Sequence, residues 1–189
     1  MRTVQWRVVA HIPLPEGIPG MRALLAFRPE IAPALSAFTN ELMHAPNSLT
    51  PAERELIAAR VSHLNDCVFC RESHAAIAVC HLNGSEGLVA SVVADPESAP
   101  ISGKLRALLA LAGRVAQGGK AVGDGDVARA RSEGATDREI HDTVLIAAAF
   151  CMFNRYVDGL AAWTPMDPEM YRQRARLTAE HGYTASPLR

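Results

Sequence analysis

Residues 50–74, TPAERELIAARVSHLNDCVFCRESH, read as one helix, a break and the start of a second helix. Thr50 places a hydroxyl where it can accept from the free N–H groups of a helix start. Pro51 suits the first helical position, and Glu53 completes a capping box. Apolar residues then recur at three- and four-residue spacing to about Leu64. Asn65-Asp66 offers a second N-cap, from which the next helix begins at Cys67 and ends near Asn83-Gly84.

The same grammar extends in both directions. The spacing predicts helices over 31–44, 88–94, 102–117 and 126–132, with a glycine-rich loop at 118–125. Thr136-Asp137-Arg138-Glu139 is another capping box and opens a long apolar helix over 140–162. An Arg-rich helix over 168–180 stops at Gly182. β-branched alternation is scarce, so the class is all-α. Both capping boxes lead into Ala-rich apolar helices, a faint internal echo that common helix grammar could also produce. Pro13, Pro15 and Pro19 forbid a regular helix in residues 1–20. Val4–Ala10 has strand character but no partner strand. That segment reads as an extended arm, lying on the body or wrapping a neighbouring subunit.

At 189 residues, 49% hydrophobic and 21% charged, the chain has ordinary globular composition and fits a single domain, 1–189. Its 19 basic residues against 20 acidic ones supply no basic surplus, so the expectation is no nucleic acid and no anionic membrane surface as partner. The apolar stretches are too short or too interrupted by charge to span a bilayer. The N-terminus carries Arg2 and Arg7 without a sustained apolar run or cleavage site, so the expected address is cytoplasmic. Four cysteines are too few for a disulfide scaffold. In a reducing compartment, two placed close together suggest redox or metal chemistry.

Cys67 and Cys70 are that pair. Three-residue spacing on a helix puts both sulfurs on one face, within reach of a disulfide. The first turn after Asn65-Asp66 favours thiolate over thiol, because free N–H groups and the helix dipole stabilise negative charge. His74 lies one turn beyond Cys70 and can take its proton, while Arg71 adds positive charge. Zinc is the rival reading, with His63, Cys67, Cys70 and His74 as ligands. On one helix, however, His63 and His74 would stand about 16 Å apart, and zinc needs its ligands within about 2.0–2.3 Å. No second ligand pair exists elsewhere in the chain, so the expectation is no metal. Cys80 and Cys151 read as small buried apolar residues, and His63, His81 and His141 as structural or solvated. Glu53 is used in capping, which leaves Glu55 free.

Glu55, Cys67-x-x-Cys70 and His74 resemble, in order and spacing, the active-site signature of alkylhydroperoxidase D-like (AhpD-like) proteins of the carboxymuconolactone decarboxylase superfamily. Phe27-Arg28-Pro29-Glu30, Glu53 to Ala58, Asn65-Asp66-Cys67, and Phe153-Asn154-Arg155 with Asp158 are similar to its peroxidase-related branch. The resemblance spans about 27–165 and leaves out the arm and the C-terminal helix, 168–182.

This resemblance implies a bundle of antiparallel helices, usually assembled as an oligomer from dimer to hexamer. It also implies thiol-dependent reduction of hydroperoxides with no cofactor, an external dithiol or protein reductant supplying electrons. Cys70 would attack the peroxide, Cys67 would resolve, and His74 and Glu55 would form a proton relay. One position departs from the best-studied pattern: Phe69 stands where a second histidine precedes the second cysteine. Two other function classes stay open. One is a decarboxylase or lactone-processing enzyme on the same fold, which needs no cysteine pair. The other is a non-catalytic redox-sensing helical protein. Twelve residues before Cys67, Glu55 lies on the preceding helix, and only a bend near Asn65-Asp66 or a neighbouring subunit would bring it close. Ala-rich apolar helices such as 144–150 call for cover, which points to a homo-oligomer.

Overall fold

The computed structural model describes residues 9–184. Within them the chain forms nine α-helices and one 3-10 turn, with no strand. The order is α1 (Gly20–Phe27), α2 (Ala32–Met43), α3 (Pro51–Leu64), α4 (Val68–His81), α5 (Glu86–Ala94), α6 (Gly103–Gln117), α7 (Asp124–Ser132), α8 (Asp137–Gly159) and α9 (Pro168–His181). The all-α reading is therefore correct.

Both capping boxes form. Thr50 Oγ1 accepts from the Glu53 N–H at 3.2 Å, and the Thr50 N–H donates back to Glu53 Oε2 at 2.8 Å. Thr136 and Glu139 repeat the exchange at 3.2 and 2.8 Å. These boxes fix where α3 and α8 begin, and α3, α6 and α8 pack together as the centre of the molecule. Leu56, Ile57, Leu108, Leu111, Ile146 and Phe150 are buried among them in the main core. Each such side chain removed from water contributes about 1.5–3 kcal/mol before the entropy of ordering is subtracted. Arg54 is buried too. Its guanidinium donates to the carbonyls of Leu42 and Ala45 at 3.1 and 3.0 Å, so it ties the end of α2 to α3.

A smaller cluster holds the cysteine end: Leu24 of α1, Cys67, Cys70, and Val157 and Ala162 at the end of α8. The last helix, α9, lies over α4. A short break at Asn65, Asp66 and Cys67 turns α3 back on α4, with Asp66 at φ 57°. Asn154 of α8 braces this turn. The Asn65 amide donates to Asn154 Oδ1 at 2.8 Å, and the Asn154 amide donates to Ser62 Oγ at 3.0 Å.

Several expectations are corrected. Asn65 is the C-cap of α3 and Cys67 the N-cap of α4, so Asn65-Asp66 caps no helix start. The arm ends about where expected, but Gly20–Phe27 is a helix the sequence reading did not assign, with Pro19 at its threshold and the apolar positions Ala23, Leu24 and Leu25 buried. The described part of the arm lies on its own body: the His11 N–H donates to Leu160 O at 3.1 Å, and Leu14 packs on the cysteine cluster. Most of Val4–Ala10 falls outside the described residues, as does Trp6. The seventh helix starts at Asp124, where Asp126 caps Gly123, and α8 ends at Gly159, three residues before Ala162. Cys80 and Cys151 are half-buried rather than buried. Ile146, Ala147, Ala149 and Phe150 fill the chain's own core, leaving Leu145 and Met152 as the exposed large apolar residues of α8. No helix among the described residues is long and apolar enough to cross a membrane.

Candidate active site

The α3–α4 turn brings Glu55 to His74. The bend near Asn65-Asp66 suffices, and no neighbouring subunit is needed. His74 Nδ1 lies 2.7 Å from Glu55 Oε2, with both side chains buried. A carboxylate at that distance fixes the tautomer: Nδ1 carries the hydrogen and donates it, so Nε2 is left as the ring's proton acceptor. The His74 ring also packs edge-on against Phe150 of α8, centroids 4.4 Å apart. Two elements besides its own therefore hold the imidazole.

Cys70 lies one turn before His74 on α4, and Cys67 precedes the helix at its N-cap. Both thiols are free and buried. A hydrogen bond to Cys70, with burial, pushes the Cys67 thiol well above the ordinary range. This corrects the expectation of thiolate character for Cys67. Water is excluded there, and a neighbouring sulfur takes its proton's hydrogen bond, so the dipole of the α4 N-terminus does not decide the outcome. Desolvation at the end of α8 raises the Asp158 carboxyl's pKa, and the Cys67 thiol beside it opposes the rise.

Sequence reasoning missed one residue of this constellation. Tyr183, past the end of α9, donates its hydroxyl to Glu55 Oε1 at 2.6 Å, and the same oxygen lies 3.3 Å from His74 Nδ1. Its ring stacks on His74 at 6.2 Å with planes inclined by 19°. Burial, with the Glu55 charge, holds the phenol well above its ordinary pKa, so it remains a donor. No motif signals a tyrosine 128 residues downstream of its partner; only the packing of α9 on α4 brings it there.

Phe69 is a wall of the site. Its ring packs against Tyr171 at 6.1 Å and against Gly20, where a Cβ would collide with it and φ is +50°. With Ser73, Tyr171 and Arg174 it lines a cavity of about 80 Å³ between α4 and α9, while also packing on the cluster that holds Cys67 and Cys70. Neither this cavity nor a hollow of about 520 Å³ beside α3, α6 and α7 is lined by Glu55, Cys67, Cys70 or His74. Among the described residues, no group of three or more His, Cys, Asp or Glu is placed to hold a metal ion.

The sequence profile of the carboxymuconolactone decarboxylase family matches the chain twice in succession, over residues 29–97 and 93–165. Each match contains one of the two capping boxes. Solved structures agree on the fold. An uncharacterized peroxidase-related protein from Silicibacter sp. TM1040 superposes with a TM-score of 0.76 at 26% identity, over 90% of this chain and 97% of that one. A peroxidase-related protein from Ralstonia eutropha JMP134, described as an alkylhydroperoxidase AhpD core, gives 0.77 at 24% identity, over 89% and 97%. A protein of unknown function from Agrobacterium tumefaciens gives 0.66 at 23% identity, over 84% and 100%. No curated protein matches the sequence.

Proposed function

The chain belongs to the carboxymuconolactone decarboxylase family, with an AhpD-like helical fold, and from that premise we propose that it is a thiol-dependent peroxidase working through Cys67 and Cys70. The observation that carries the reading is the buried Glu55–His74 pair one turn from Cys70. A lactone or decarboxylation chemistry has no use for two adjacent buried thiols.

The cycle has three steps. The Cys70 thiolate attacks the peroxide oxygen; an S–O bond forms, the O–O bond breaks, and sulfur is oxidised as the peroxide is reduced. The departing alkoxide or hydroxide takes a proton delivered through His74, whose charged form Glu55 stabilises. Cys67 then attacks the Cys70 sulfenic acid; an S–S bond forms, and hydroxide leaves with the Cys67 proton as water. In this cycle Asp158, beside Cys67, receives that proton first. An external dithiol or protein reductant restores both thiols by exchange and is itself oxidised to a disulfide.

The same reading includes a homo-oligomer. Leu145 and Met152, two turns apart on α8, present exposed apolar surface that a second copy would cover.

Hydroperoxide consumption by the pre-reduced protein, measured with a panel of dithiol donors, tests the function. The expected result is turnover that needs both peroxide and dithiol and is lost in Cys70→Ser. Absence of consumption with every donor would overturn it.

A further inference from the structure

Glu55 has two oxygens, and the relay to His74 uses only one. The other is taken by Tyr183, whose hydroxyl donates to Oε1 at 2.6 Å. The tyrosine reaches this position by three independent restraints. Its backbone N–H donates to the Asn40 side chain of α2 at 2.9 Å. Gly182 before it adopts φ 74°, and a Cβ there would run into Asn40 and His44. Its ring stacks on His74. The segment after α9 is thus latched to α2 and delivers one hydroxyl to a buried carboxylate 128 residues away.

We propose that Tyr183 is a positioning residue of the site: its hydroxyl holds the Glu55 carboxylate aimed at His74, so the relay is complete only while the segment after α9 is latched to α2. A buried carboxylate with one partner is free to rotate and is poorly stabilised as an anion. A second, charge-assisted donor removes both defects. Without it, Glu55 fixes the His74 tautomer less firmly, and Nε2 is a weaker acceptor. The charged and titratable groups around this centre are Arg54 of α3, His81 of α4, His44 just past α2 and Arg174 of α9. Tyr183 is the residue among these neighbours that hydrogen-bonds Glu55 Oε1. The proposal rests on the reading of Glu55 and His74 as the relay that serves Cys70.

The test follows the rate of Cys70 alkylation by iodoacetamide against pH, in reduced full-length protein, with the modified peptide quantified by mass spectrometry. It needs no peroxide turnover. Tyr183→Phe keeps the stacked ring and removes only the hydroxyl. Its acidic limb is expected to move to higher pH by about one unit, the size of one lost hydrogen bond to a charged group. Asn40→Ala leaves all three relay side chains in place and loosens the latch, and it should shift the limb in the same direction by less. A residue with a merely structural part would lower the melting temperature and leave the pH profile in place. A Tyr183→Phe profile that superimposes on wild type while Glu55→Gln is displaced would overturn the proposal and leave the relay standing. Should Glu55→Gln also superimpose, the relay reading falls, and the proposal with it.

Discussion

His74 Nδ1 and Glu55 Oε2 meet at 2.7 Å across the α3–α4 turn, 19 residues apart in the chain. The contact is buried and charge-assisted, so either partner left alone is costly. Glu55→Ala or His74→Ala is expected to lose about 1.5–3 kcal/mol of folding stability, read by denaturant titration. His74→Gln should also slow Cys70 alkylation near neutral pH by about a hundredfold, the lower end of what one positioned proton acceptor contributes. An unchanged alkylation rate would remove His74 from the mechanism.

The two cysteines should behave differently when replaced. Cys70→Ser is expected to abolish peroxide consumption, whereas Cys67→Ser should complete one oxidation and stop at a sulfenic acid. A dimedone-type probe should therefore label Cys67→Ser protein stoichiometrically after one addition of peroxide. Labelling confined to Cys70→Ser would reverse the roles.

The raised Cys67 thiol sets an order of reactivity. A thiol whose pKa lies above its ordinary value stays protonated through neutral pH, and its alkylation increases only as the solution becomes strongly alkaline. Peptide mapping after brief iodoacetamide treatment near pH 7 should find Cys67 the slower of the pair by at least about tenfold. Mild oxidation should remove two thiols together, as the proposed pairing of Cys67 with Cys70 requires.

Stability away from the site should depend on pH through Glu139. Burial acts to raise its carboxyl, but hydrogen bonds from Lys104 and Thr136 outweigh it and hold the group below its ordinary value. A depressed carboxylate stabilises the fold above its unfolded pKa, and the contribution is lost as pH falls through the folded value. Glu139→Gln should therefore melt below wild type at neutral pH, with the gap closing in acid. Thr136→Ala removes the cap of α8 and should cost about 1 kcal/mol, measured by thermal unfolding.

Self-association through α8 should be sensitive to charge. Light scattering of the wild type at micromolar concentration is expected to give more than the mass of one chain. Leu145→Glu combined with Met152→Glu should reduce it to a monomer, because two carboxylates cannot be buried unpaired in such a contact. A wild-type mass of one chain, unchanged on dilution, would count against the assembly.

Local chemistry wrote much of this protein into its sequence. Thr50 with Glu53 and Thr136 with Glu139 fix two helix starts because a capping box needs only residues three apart. The three- and four-residue apolar spacing identifies the other helices for the same reason, apart from the short α1, whose eight residues between Pro19 and Pro29 carry too little periodicity to stand out. The grouping of Cys67, Cys70 and His74 is equally local. What the chain could not disclose by itself depends on the return of distant segments. Glu55 reaches His74 only because Asp66 turns the backbone through a left-handed residue. Asn154 serves the turn only because α8 lies beside it. Cys67 keeps its proton because the folded chain excludes water and sets Cys70 against it, overriding the dipole that sequence position suggested. Tyr183 completes the carboxylate's partners because α9 folds over α4. Hydrogen bonds of this kind carry no periodic or spacing signal, so tertiary packing alone decides them.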